Sequence, residues 1–476
     1  MSMKSAAVPV ALESLSVDLL PRLVIGADTI VPTLHGPRTY VNFDNAASTP
    51  TFQPIMDSIT AFLRWYSNVH RGTGFKSQLS SWAFEEARDI VAGFVGADLN
   101  REVVIFTKNT TEAINKLARR FCFAKDDVIV TTLMEHHSNE LPWRQVGRVV
   151  HVSLNPDGTI NRDDFRAKLE QHGSKVRLAA ITGASNVSGY INDLDYFAEA
   201  THRAGAKILV DSAQLVPHRP VDMKPDDPAH KIDYLVFSAH KMYAPFGVGV
   251  IVGERECFEK GDPSDVGGGV VDIVTLEEAY WTDLPEKEEA GTPDIVGVVA
   301  LGQVIRVFQQ LGWAAVIDHE AALTAYALSK LREIPGVILY GDTDPGGARN
   351  RLGVISFNVK DVPHALTAAI LSYEGAIGVR AGCFCAHTYV KELMQITPKQ
   401  AQKYELEILR RDRSHLPGAV RASFGLYNTI EEVDRLIEMV GRIARGEYAK
   451  NYELDKERGE YHPKGLAFDF EKYFRF

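Results

Sequence analysis

Two short apolar runs in this chain end in residues that can do chemistry. Lys207-Ile208-Leu209-Val210 runs into Asp211-Ser212-Ala213-Gln214, and Tyr234-Leu235-Val236-Phe237 runs into Ser238-Ala239-His240-Lys241. Such runs fit buried strands of a parallel sheet. Ligands of open α/β sheets sit at the carboxyl ends of the strands, and both Asp211 and Lys241 fall at that edge. A carboxylate and a primary amine placed there suit pyridoxal phosphate. The lysine forms a Schiff base with the aldehyde, and the acid keeps the pyridine nitrogen protonated, so the ring can accept electrons. Taken singly, an Asp at a strand end reads as a cap and a Lys as a solvated charge. The ordered set Asp-x-x-Gln followed by Ser-x-His-Lys is much harder to reach by chance.

Three further clusters carry reactive groups. Val103 to Thr107 reads as a strand, followed by Lys108-Asn109-Thr110-Thr111-Glu112 and a helix through Arg120. Free N–H groups at that helix start, with the Thr110 and Thr111 hydroxyls, make an anion cradle; an N-cap without a ligand fits the same residues. His136 and His137 follow the strand Val128 to Thr132. Two histidines without further Cys or His nearby do not make a metal site, and no metal is expected. Arg380-Ala381-Gly382-Cys383-Phe384-Cys385-Ala386-His387 holds cysteines two apart. That spacing is poor for a mutual disulfide, and no second pair completes a metal site. The residues alone leave two readings: a buried pair of small apolar side chains, or a nucleophilic thiol on a loop.

On Asp211, Gln214, Ser238, His240 and Lys241, the sequence resembles the fold-type I, class V aminotransferase-like enzymes, and among them the cysteine desulfurase and selenocysteine lyase group. The resemblance runs from Tyr40 to about Arg445. It implies pyridoxal 5'-phosphate held through Lys241, with Asp211 at the ring nitrogen and His136 stacked on the ring. It implies phosphate ligands at Thr110, Thr111, Ser238 and His240, with Thr292 supplied across a homodimer. It places Gln214 and Asn186 at the phenolate oxygen. The segment of Ala46 would line the substrate pocket, Asn186 would lie near the substrate carboxylate, and Arg421 would clasp that carboxylate as a bidentate fork. The loop at His70-Arg71 would lie at the dimer's active-site mouth. In desulfurases the catalytic cysteine stands five residues after an arginine like Arg380, which points to Cys385. The expected reaction converts L-cysteine to L-alanine and a Cys385 persulfide, which a protein sulfur acceptor could relieve. The alternatives on one scaffold are a selenocysteine lyase, a cysteine lyase or an aminotransferase; a sulfur carrier without catalysis lies further off. The chain departs from compact bacterial desulfurases at Cys383-Phe384, where histidines are usual. There it looks more like the molybdenum-cofactor sulfurase branch, which leaves the acceptor open.

Positioning these groups requires a regular scaffold. From residue 40 onward, strands and helices alternate: strand 128–132, strand 149–154, helix 162–171, strand 176–182, helix 194–204, then the two central strands and a strand at 247–251. This alternation predicts an α/β fold whose large domain holds a mostly parallel seven-stranded sheet, with a smaller α+β domain at the C-terminal side. The expected boundaries are an arm over 1–39, a large domain over 40–310, a small domain over 311–446 carrying the cysteine loop, and a tail over 447–476. Thr429-Ile430-Glu431-Glu432 is a capping box for the last helix. The span 392–416 looks longer than in compact desulfurases. Within it Thr397-Pro398-Lys399-Gln400 opens an amphipathic helix to about Asp412, expected to cover the cysteine loop as a lid.

Composition narrows the classes. The chain has 476 residues, enough for two domains, and 45% hydrophobic residues against 24% charged, as in ordinary soluble globular proteins. A net charge of −10 argues against nucleic acid or an anionic membrane as partner. No stretch approaches a membrane span, and Glu13 and Asp18 interrupt the N-terminal apolar residues, so no secretory signal is read there. Four cysteines make no disulfide framework. A cytoplasmic setting is expected.

Overall fold

The computed structural model describes residues 15–466 and 468–476. Residues 1–14 of the expected arm, Glu13 among them, lie outside these; the described part of the arm begins with short helical turns at Val17–Leu19 and Leu20–Leu23. The main sheet has seven strands: β1 (Glu102–Thr107), β2 (Val128–Thr132), β3 (Arg148–Val152), β4 (Val176–Thr182), β5 (Lys207–Asp211), β6 (Tyr234–Ser238) and β7 (Gly249–Glu254). Their lateral order is β1-β7-β6-β5-β4-β2-β3. All neighbours run parallel except at β7, which is antiparallel to both β1 and β6. The sheet is thus mostly parallel, as the alternation predicts.

Burial follows from this topology. The period-2 geometry of a strand sends successive side chains to opposite faces. On one face Val104, Phe106, Val130, Ile181, Ile208 and Val210 join a core with the helices 75–94 and 295–311. On the other, Ile105, Ile129, Leu178, Leu209 and Val236 pack with Ile114 and Leu117 of the helix Thr110–Arg120. Strands covered on both faces need unbroken apolar runs, which is what β5 and β6 carry. Their carboxyl ends, with those of β1, β2 and β4, open on one edge of the sheet.

A second sheet of four strands has the order 337–340, 354–359, 419–423, 380–382, with antiparallel neighbours throughout. The helices Trp313–Glu333, His364–Gly375 and Ile430–Ala444 cover it. The last of these starts at the Thr429 and Glu432 capping box, which forms; losing such a cap typically costs about 1 kcal/mol. Val41 and Phe43 enter this smaller core, and residues 41–42 pair in parallel with 377–378. The expected start of the large domain is therefore stitched to the second sheet. Residues 452–455 and 460–463 form a hairpin on the helix 364–375. No single helix among the described residues is long and apolar enough to cross a membrane. The helix pair 295–311 and 313–333 passes that test together but is bent by 83°, and its first member lies in the core.

Candidate active site

At the carboxyl edge of the main sheet the chain leaves a cavity of about 350 Å³. Its lining includes Ala46, Thr110, Thr111, His136, Asn186, Asp211, Gln214, Ser238, His240, Lys241, Arg380, Cys385 and Arg421. These residues come from strand ends, the loops beyond them and the second sheet. Of the expected site residues only Thr292 is absent. It lines a separate cavity with Lys108 and Glu289, so one chain alone does not bring it to the site.

Asp211 closes β5 and is 4% exposed. The Ala213 N–H donates to its Oδ1 at 3.0 Å. Burial raises its carboxyl above the usual range, while the nearby Lys241 ammonium pulls it down. Lys241 sits in a short 3-10 turn after β6. Burial lowers its amine to about 8, with Arg421 adding to that and Asp211 opposing it. Burial lowers His136 to about 3, with Lys241 adding to the fall, so its ring is neutral at ordinary pH. The Ser138 N–H donates to His136 Nδ1 at 3.1 Å, which fixes the tautomer with the proton on Nε2.

The anion cradle is built at the start of the helix Thr110–Arg120. Asn109 caps it by accepting from the Glu112 N–H at 3.0 Å. The Thr110 N–H donates to Ser238 Oγ at 2.8 Å, and the two hydroxyls lie 2.6 Å apart. Thr111 and Ser138 hydroxyls pair at 2.7 Å. Gly249 lies against this turn so closely that a Cβ would strike the Asn109 backbone. A glycine there lets β7 pass under the cradle.

The cysteine loop crosses the cavity's outer wall. Phe384 and Cys385 both take positive φ, 52° and 54°. Left-handed backbone at two successive non-glycine residues costs on the order of 1–3 kcal/mol each, and contacts hold it. The Asn186 amide donates to the Phe384 carbonyl at 2.8 Å. The His137 N–H donates to the Cys385 carbonyl at 2.8 Å. The Arg421 guanidinium lies over the Phe384 ring at 5.0 Å. Cys385 is exposed, whereas Cys383 turns away and its thiol donates to the Pro417 carbonyl at 3.0 Å. Burial raises the Cys383 thiol to about 11.

Several amides and guanidiniums already have protein partners. Gln214 donates to the Ala46 carbonyl at 2.7 Å, and the Asn186 amide N–H₂ is spent on the loop. Arg421 donates to the Asn186 carbonyl and to Asp44, each at 3.0 Å, but its buried Nε has no partner. Two residues escaped the sequence reading. Asp44 bridges Arg421 and Arg380, the latter at 2.8 Å. Glu135 is buried beneath His136 and accepts from Thr132 Oγ1, Asn139 Nδ2 and the Thr182 N–H. Burial pushes Glu135 up to about 8 against these donors, with Asp211 adding to the rise. The helix after Thr397 forms with its capping box but ends at Leu409, and none of it lines this cavity. It is not a lid over Cys385.

Comparisons with known proteins agree with this geometry. The family model for Aminotransferase class-V matches residues 41–436. A probable cysteine desulfurase of Halalkalibacterium halodurans is 36% identical over 406 residues, 83% of this chain and 91% of the relative. A cysteine desulfurase of Haloferax volcanii is 33% identical, covering 91% and 96%. Among solved structures, the apo cysteine desulfurase of Thermococcus onnurineus superposes with a TM-score of 0.75 at 31% identity, covering 86% of this chain and 95% of that one. The cysteine desulfurase CsdA of Escherichia coli gives 0.72 at 28%, covering 86% and 96%. The chain therefore belongs to the class-V aminotransferase family, in the company of its cysteine desulfurases.

Proposed function

We propose that this chain is a pyridoxal-phosphate-dependent cysteine desulfurase that takes L-cysteine to L-alanine and leaves the sulfur as a persulfide on Cys385. The observation that carries the reading is the convergence of Lys241, Asp211, Arg421 and an exposed thiol, Cys385, on one cavity.

The residues fit the cofactor. Asp211 is a buried carboxylate with one oxygen spent on Ala213, and Lys241 is a buried amine beside it. Thr110, Thr111, Ser238 and His240 surround a helix start suited to phosphate, with Thr292 of a second copy as a further ligand in a homodimer. Bound there, pyridoxal phosphate supplies an aldehyde for amines and a ring that draws electrons from the substrate α-carbon.

The chain's own groups do the rest. Lys241, held near 8 by burial, is uncharged often enough at neutral pH to take a proton from the α-carbon and return it. Neutral His136 offers a flat ring and an Nε2 proton near that atom. The orphan Nε of Arg421 is a buried donor that a substrate carboxylate would satisfy. Cys385 as thiolate attacks the substrate sulfur. An S–S bond forms, the C–S bond breaks with its electron pair left on carbon, and that carbon is protonated to give alanine. The setting on this reading is the cytoplasm, with L-cysteine as substrate and a thiol-bearing sulfur acceptor.

Cysteine turnover assayed together for alanine, sulfide and pyruvate tests the reading. Alanine in step with released sulfur supports it; pyruvate with ammonia would replace it with a lyase.

A further inference from the structure

Behind the cysteine loop lies a second cavity, of about 550 Å³. The two segments with no part in the reaction cavity build it. Tyr404 and Ile408 of the helix Pro398–Leu409 form one wall, and residues 458–462 of the C-terminal hairpin form another. Ala365, Ala368 and Ala369 of the helix His364–Gly375 give a smooth floor. Arg380 lines this cavity and the reaction cavity alike, so the two are neighbours.

The charge of this cavity is opposite to that of the whole molecule. Arg380, Lys391, Arg413 and Arg458 line it, against Glu405 and Glu460, in a chain of net charge −10. Two of the four cations, Lys391 and Arg458, have no firm partner among the described residues. Lys391 has no ion-pair partner among the described residues, Arg458 reaches Asp455 only at 3.9 Å, and Arg413 donates to the Glu457 carbonyl. Arg380 is firmly held, by Asp44 at 2.8 Å. One buried acceptor beside the cavity is also uncompensated. His364 has its Nε2 directed at the Leu416 carbonyl at 3.1 Å, so Nε2 carries the proton, and buried Nδ1 has no partner. The cavity thus offers an apolar floor and two unspent cations, Lys391 and Arg458, in a volume typical of small-molecule sites.

We propose that this second cavity seats the sulfur acceptor, and that the acceptor is a small thiol carrying carboxylates. The inference rests on the desulfurase reading above. With its carboxylates against Lys391 and Arg458, a thiol of two or three residues' length reaches over Arg380 toward exposed Cys385. Its thiolate attacks the outer sulfur of the Cys385 persulfide. The new S–S bond forms on the acceptor, the bond to Cys385 breaks, and Cys385 leaves as thiolate with the electron pair. The acceptor departs as a persulfide, and no further oxidant or reductant is needed.

The test compares reduced glutathione with neutral 2-mercaptoethanol as acceptor for the holoenzyme, in wild type and in Lys391→Gln/Arg458→Gln. Wild type should saturate with glutathione, and the variant should raise its KM about tenfold while leaving the rate with 2-mercaptoethanol unchanged. S-methylglutathione, which cannot react, should bind wild type in a calorimetric titration and lose about tenfold in affinity in the variant. Equal effects on the two thiols, or no binding of S-methylglutathione, would overturn the proposal. Absence of alanine production with every thiol would instead sink the desulfurase reading, and the S-methylglutathione titration would still judge the cavity.

Discussion

Arg380 stands directly opposite Arg421 across the antiparallel ladder of the second sheet, and a single carboxylate, Asp44, holds both guanidiniums. Like charges facing each other on a ladder repel, and Arg421 is 3% exposed. Asp44 therefore does two things: it cancels the repulsion and aims Arg421 at the cavity. Asp44→Asn should lower stability by about 1–2 kcal/mol, less than the loss of a fully buried pair because Asp44 and Arg380 are partly exposed, and raise the KM for cysteine about tenfold with little change in kcat. Denaturant unfolding and steady-state kinetics check the two arms. An unchanged KM would show that Arg421 is aimed by Asn186 alone.

Lys241→Ala should remove the visible absorbance of bound cofactor and nearly all turnover while leaving the far-ultraviolet circular dichroism unchanged. The wild-type apoprotein should capture pyridoxal phosphate at a rate that rises with pH and levels off above about 8. An amine held at about 8 is roughly one-tenth uncharged at pH 7, against less than one-thousandth for an ordinary lysine. Stopped-flow absorbance from pH 6 to 10 reads the midpoint. A midpoint near 10 would mean that another lysine captures the aldehyde.

The two cysteines should separate cleanly. Cys383 is held protonated, near 11, with its thiol on the Pro417 carbonyl, so only about one part in 10⁴ is thiolate at pH 7. Cys385 is exposed on the cavity wall. Cys385→Ser should abolish persulfide formation; Cys383→Ser should keep a measurable share of activity. Mass-spectrometric mapping of the trapped persulfide decides, and a persulfide found only on Cys383 would reverse the assignment.

The parts legible in sequence were those written in local order. Asp211 and Lys241 each end a buried apolar run, so strand periodicity alone puts them at one edge of the sheet. The capping boxes at Thr397 and Thr429 are likewise local, and both form. Asp44 was not legible because its partners are remote in sequence, with Arg421 377 positions away on the second sheet. Periodicity located the helix after Thr397 but not its surroundings: its Tyr404 and Ile408 line a cavity shared with the hairpin and the helix 364–375 rather than the cavity of Cys385. Glu135 was hidden by its neighbours, since a glutamate beside two histidines reads as solvated until three buried donors are seen around it.

Glu135 gives the last prediction. Its carboxyl is raised to about 8 from 4.5, mainly by burial. A raised acid makes the folded state bind more protons than the unfolded state between those values. Its contribution to stability is therefore complete below about 4.5 and is lost as pH rises through about 8. Lys241, lowered to about 8 from 10.5, acts in the other window, between about 8 and 10.5, and with the opposite slope. His136, lowered to about 3 from 6.5, opposes this loss below about 6.5, so the fall in apoprotein stability due to Glu135 should show between about pH 6.5 and 8, and Glu135→Gln should remove it. The substitution also places an amide donor against the Asn139 amide, which holds its own oxygen on Trp143 Nε1 at 3.2 Å. Leaving one buried donor unpaired should cost about 1–3 kcal/mol. Thermal unfolding of wild type and Glu135→Gln apoprotein across pH 5 to 8 reads both effects. Parallel curves for the two proteins would show that Glu135 keeps an ordinary carboxylate charge in its buried site.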